Sequence, residues 1–157
     1  MRQTIIATAP ATSTRLTPHF AQIVKQSFAH IAPDAARFGA TFYENLFAAH
    51  PEYKPLFRAP MDEQVGKFTA MLGVLVNSLE ETEHLARRLK VMGERHANYG
   101  VVAGDYDKVG AVLLDTLSDF VAEEECDAVC AAWLCLFEFC AGAMQAAAAE
   151  SRLQAAR

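Results

Sequence analysis

Few side chains in this chain have the type and spacing to do chemistry. His96 closes an apolar row, Leu85, Leu89, Met92 and His96, spaced i, i+4, i+7 and i+11 along one helical face. A neutral imidazole nitrogen there is a competent metal ligand. A lone histidine on such a row is by default a satisfied core or surface group, so its neighbours must decide. His19, His30, His50 and His84 sit at helix ends or beside a proline and read as surface residues. Gln64, Lys67 and Phe68 stand at i, i+3 and i+4, which puts an amide donor, a cation and an aromatic ring on one face. Met92 belongs to a row of core type and is not read as a metal ligand.

Four cysteines, Cys126, Cys130, Cys135 and Cys140, crowd one late segment. None forms a CxxC or CxxCH pattern, so covalent cofactor attachment through paired cysteines is not supported. At 100° per residue, Cys126, Cys130 and Cys140 cluster on one side of a helix and Cys135 points away. They read as free thiols, some packed as small hydrophobes in a reducing cytoplasm, and the poor ligand set argues against zinc.

The elements that must position these groups are helical. The 157 residues suit one domain, large enough to bury about 68–70% of its unfolded surface. The hydrophobic fraction of 52% is high and the net charge is -5. No basic stripe appears, which argues against nucleic acid. No apolar run reaches the length of a membrane span without a charge, so no membrane span is expected. Residues 1–16, rich in Ala and Thr, read as an N-terminal extension rather than a signal peptide, and 17–157 as the domain.

Thr17-Pro18 is a helix start, with Thr capping and Pro in the first turn. Phe20, Ile23, Val24, Ser27, Phe28 and Ile31 follow at helical spacing, and Pro33 closes the segment. A second helix from Asp34 carries Phe38, Phe42, Leu46 and Phe47. Pro51 restarts the chain as a short helical turn ending near Phe57. Pro60 and Asp62 open a helix that buries Phe68, Met71, Leu72, Leu75 and Val76. The His96 helix follows, broken by Gly100 and Gly104. A helix from Asp105 to Val121 carries Val109, Val112, Leu113 and Leu117, and the last runs from Glu123 to Glu150. No strand pattern or repeat appears. The period predicts an all-α domain and would also permit a plain bundle.

Two blocks narrow this. Phe42-Tyr-Glu-Asn-Leu-Phe-Ala-Ala-His-Pro-Glu-Tyr-Lys-Pro-Leu-Phe57 resembles the second and third helices of bacterial globins and the bend after them. His96-Ala-Asn-Tyr-Gly-Val-Val-Ala-Gly-Asp-Tyr106-Asp-Lys-Val-Gly110 resembles the region of a globin's proximal histidine. The chain is similar to single-domain bacterial haemoglobins and to the globin part of flavohaemoglobins, from about Thr17 to the last helix. That resemblance implies a globin fold of about seven or eight helices around a haem b pocket. It implies His96 as the iron ligand and Phe57 stacked on the haem. Tyr43 and Gln64 become the distal donors to a bound gas. Phe68 walls the distal side, Lys67 reaches a haem propionate, Arg95 has a similar status, Leu89 and Met92 pack below the ring, and Val109 lies beside it. Tyr106 matches the tyrosine that flavohaemoglobins place beside the proximal histidine. The glutamate that accompanies it there is replaced by Ala148, with Glu150 nearby on another face. The Gln64-Val-Gly-Lys67 and Met71-Leu72-Gly73 runs also resemble neuroglobin-like proteins. Glutamine is a poor iron ligand, so a histidine-locked six-coordinate haem is not expected.

The resemblance implies a haem protein for O2, with NO and CO as further ligands. Reversible oxygen binding or transport is the first expectation. A nitric oxide dioxygenase served by a separate reductase is the alternative, and a gas sensor the third, though a sensor usually needs an output domain. A cytoplasmic location is expected. A haem-free bundle would leave a void in a core that should be close-packed.

Overall fold

The computed structural model describes residues 16–157. The expected N-terminal extension lies outside them, Leu16 apart. The described residues form six α-helices: α1 Pro18–Ile31, α2 Ala35–Ala49, α3 Met61–Asn77, α4 Thr82–Asn98, α5 Ala103–Ser118 and α6 Glu123–Ala155. Two 3-10 segments, Ala32–Asp34 and Pro51–Leu56, join them. The expected seven or eight helices are thus six α-helices and two 3-10 segments, with no strand among the described residues.

Local chemistry sets the helix ends. Thr17 Oγ1 accepts from Phe20 N at 3.2 Å and Pro18 fills the first turn of α1. α4 ends in a Schellman turn: Gly100 has φ +86, its N–H reaches Ala97 O at 3.0 Å, and Val101 N reaches His96 O at 3.1 Å. A Cβ at that φ would be strained, so glycine fits the position. The last helix runs to Ala155, five residues past the expected end, because its alanine-rich tail has nothing to stop it. α5 begins at Ala103 rather than Asp105 and ends at Ser118 rather than Val121.

The core gathers on α6, which packs against α4, α1 and α5. Trp133, 1% exposed, is anchored by its indole N–H, which donates to Ser27 Oγ at 2.9 Å. The Ser27 hydroxyl donates in turn to backbone carbonyls of α1, so this buried polar pair is satisfied. Asn45 on α2 donates to Thr116 Oγ1 on α5 at 3.1 Å. By length and composition α6 could cross a bilayer. Its apolar faces instead hold Val129, Leu136 and Met144 in the core formed with the other helices. α3 rests on α2 and α1, whereas α4 rests on α6. That division leaves a gap between α3 and α4.

Candidate functional site

A cavity of about 470 Å³ fills that gap, partly open to solvent, within the size range of small-molecule sites. α3 contributes Gln64, Phe68 and Leu72 to one wall, and α4 contributes Met92 and His96 to the other. α2 supplies Phe42 and Tyr43, α5 supplies Tyr106 and Val109, and α6 supplies Trp133 and Phe137. Most of the lining is apolar, with few polar groups.

His96 sits in the last turn of α4, half-buried. Its Nδ1 lies 2.8 Å from Met92 O. A carbonyl can only accept, so Nδ1 carries a proton, and in the neutral imidazole the lone pair is then on Nε2. The Schellman turn ties the His96 carbonyl to Val101, and both residues line the cavity. One turn back, Gly93 lets the α4 backbone lie directly on that of α6 at Met144.

On the facing wall, Gln64 Nε2 donates to Tyr43 Oη at 2.9 Å. The phenol oxygen accepts this bond, which leaves the Tyr43 proton for another acceptor. Burial raises the Tyr43 pKa, and the Gln64 bond lowers it in part. Tyr43 therefore stays protonated and able to donate throughout the neutral range. Aromatic rings surround the pair. Phe42 stacks on Phe68 with centroids 4.4 Å apart, and Phe57 meets Tyr43 edge-on at 5.3 Å.

The structure brings Tyr43, Phe57, Gln64, Lys67, Phe68, Met92, His96, Tyr106 and Val109 to this one cavity. Leu89 is fully buried in the core and is not among the residues that line the cavity. It shares the His96 face but stands seven residues earlier, about 10 Å along the axis. Lys67 reaches the cavity edge, yet its ammonium pairs with Glu63 Oε1 at 2.6 Å. Arg95 lines the rim and is exposed. Ala148 is buried, and Glu150 faces outward towards Lys90, 3.9 Å away. His96 Nδ1 thus has a main-chain carbonyl as its partner rather than a carboxylate.

The sequence reading missed Tyr53, Asp105, Val101 and Trp133 as lining residues. Tyr53 Oη donates to Asp105 Oδ1 at 2.6 Å. The other oxygen, Oδ2, accepts from Val102 N at 2.9 Å and caps α5. In the sequence Asp105 stands only as the expected start of a helix. Its partner, 52 residues away, left no local signal. Cys135 and Cys140 are packed inside, and Cys140 lines the cavity. Cys126 and Cys130 are half-buried with Sγ atoms 3.7 Å apart.

These residues fit a haem. One imidazole offers a free Nε2 from a fixed ring, two donors stand on the opposite helices, apolar side chains lie between, and cations stand at the rim.

Comparison with known proteins agrees. The globin family pattern matches residues 40–144. A flavohemoprotein of Rhizobium meliloti is 28% identical over 121 residues, 75% of this chain. One of Deinococcus radiodurans is 27% identical over 122 residues, again 75% of this chain. The match spans 30% of the length of either flavohemoprotein. Among solved structures, the engineered carbene transferase RmaNOD, described as a candidate nitric oxide dioxygenase from Rhodothermus marinus, superposes with a TM-score of 0.79. It is 23% identical, and the match covers 90% of this chain and 99% of that one, a likeness of fold. With six helices around a cavity that fits haem and a family match over most of its length, this chain belongs to the globin family of haem-binding proteins.

Proposed function

We propose that this globin acts as a nitric oxide dioxygenase, using haem b to turn nitric oxide and oxygen into nitrate. When bound, haem supplies an iron at which oxygen is activated for reaction with nitric oxide, and one electron from a reductase resets it after each turnover. The observation that carries the reading is the Gln64–Tyr43 bond across the cavity from His96. The similarity to flavohemoproteins supports the same direction.

His96 holds the cofactor through Nε2, with its ring fixed by the Met92 carbonyl. Tyr43 donates its remaining proton to the partial negative charge that develops on a diatomic ligand. Such donors act strongly when preorganised in a dry pocket. Gln64 acts mainly by holding the tyrosine oxygen in place. Phe68 and Phe57 keep water from the reacting atoms. Lys67 and Arg95 stand where they can meet the cofactor's carboxylates, Lys67 after exchanging its Glu63 partner. A cytoplasmic site with a cellular reductase suits this cycle.

Reversible binding of O2, with NO or CO as competitors, is the second reading. The Met92 carbonyl favours it, because a carboxylate partner would make the imidazole more basic and push electron density towards iron. Rapid mixing of the oxygenated protein with nitric oxide separates the two. The dioxygenase reading expects stoichiometric nitrate within the mixing event and continued turnover with an added reductase. Slow reaction, or re-reduction far below the rate of nitric oxide consumption, favours the carrier.

A further inference from the structure

The Pro51–Leu56 segment and the head of α5 both line the cavity, and we treat them as its two lips. The segment carries Leu56, and Phe57 caps its end. The head of α5 carries Asp105 and Tyr106, directly after the corner that follows His96. The segment packs chiefly on α2. Its side-chain links to α5 come from two residues. Tyr53 donates to Asp105 at 2.6 Å, and Lys108 stands 5.8 Å from the Tyr53 ring centre and 3.8 Å from Glu52. The Lys108–Glu52 pair is solvent-exposed and contributes little. The Tyr53–Asp105 bond is short, charge-assisted and partly buried, a stronger kind.

We propose that the Tyr53–Asp105 hydrogen bond clasps the two lips together and sets how fast the bound haem escapes. Tyr53 and Asp105 are positioning residues: they tie the part of the chain that carries Phe57 to the part that carries Tyr106. Asp105 does this while holding Val102 N with its other oxygen, so the clasp and the helix cap share one carboxylate. The bond joins residues 52 apart in sequence, both of which line the cavity. The inference rests on the haem reading of the cavity.

The test is haem transfer from the loaded protein to an excess of apomyoglobin, followed by absorption. Y53F removes one oxygen atom and should speed haem loss about tenfold, the effect expected of one charge-assisted bond. D105A should do at least as much, and Y53F in the D105A background should add almost nothing. N45A is the control. It breaks the Asn45–Thr116 bond, which also links two helices but lies away from the cavity lining, and should leave haem loss within about twofold. Unchanged loss in Y53F overturns the clasp while the haem reading stands. Equal acceleration by Y53F and N45A also overturns it, since the effect would then be general loosening. A parent protein that takes up no haem overturns the haem reading and the clasp with it.

Discussion

Gly93 on α4 and Met144 on α6 meet backbone to backbone. A Cβ built on Gly93 would stand 2.7 Å from Met144 Cα and nearer still to its carbonyl oxygen. No side-chain rotation can relieve that contact. The position of His96, three residues on, therefore depends on a hydrogen atom at Gly93.

Gly93→Ala should force α4 away from α6. We expect a stability loss of about 1–3 kcal/mol, at the upper end because the obstacle is main chain. The ferrous spectrum should shift as well, since His96 moves with its helix. Chemical denaturation and absorption spectra of the same preparation check both. Unchanged stability would contradict the close approach.

His96→Ala should abolish stable haem binding. Added imidazole should restore part of it by occupying the place of the missing ring. The Soret band measures this directly, and a normal spectrum in the variant without imidazole would remove His96 as the axial ligand.

Tyr43→Phe should speed oxygen loss about 10- to 100-fold, the effect of losing a hydrogen bond to a charged acceptor. Gln64→Leu should have a smaller effect because Gln64 acts through the tyrosine. The double variant should resemble Tyr43→Phe alone. Additive effects would mean that Gln64 contacts the gas independently. Laser photolysis or stopped-flow displacement by carbon monoxide measures the rates.

The Tyr53–Asp105 pair predicts a pH dependence. Asp105 is held below its ordinary 3.8, first by the Tyr53 bond. Its stabilising contribution is present above that ordinary value and is lost as pH falls through the depressed one. Tyr53 and Tyr43 are raised above 10.0, both mainly by burial. Their contributions are full below pH 10 and disappear as pH rises through the raised values. The stability gap between the parent and Tyr53→Phe should therefore be wide near neutrality and shrink below about pH 4. A gap that stayed constant down to about pH 2 would count against the pair.

Alkylation should rank the thiols. Burial pushes Cys140 up to about 12 and Cys130 to about 11. Cys126 should be labelled first in the folded protein, and Cys140 only as the chain unfolds. Mass spectrometry of timed digests reads the order.

Helix boundaries were legible wherever a cap or a proline wrote them: Thr17-Pro18, Pro51, and Tyr99-Gly100-Val101. The ends of α5 and α6 were less so, because alanine-rich and mixed stretches carry no stop. The row through His96 showed its face but not the height at which that face opens: Met92 and His96 line the cavity and Leu89 does not. The Tyr53–Asp105 bond and the Gly93–Met144 contact depend on which helices cross, and no local pattern encodes a crossing. Tyr43 and Phe57 were singled out through the first matching block and Gln64 through the resemblance as a whole, since periodicity alone would have left them as core and surface.

The gap between α3 and α4 has a consequence for how the protein lives in a cell. α3 and α4 both line the cavity that fits haem, and α4 otherwise rests mainly on α6, so a bound cofactor would bridge the two sides. Ligand binding stabilises the folded state by mass action, and marginal chains are cleared by proteases. The abundance of this globin should therefore rise and fall with the supply of haem, even at a constant level of its messenger RNA.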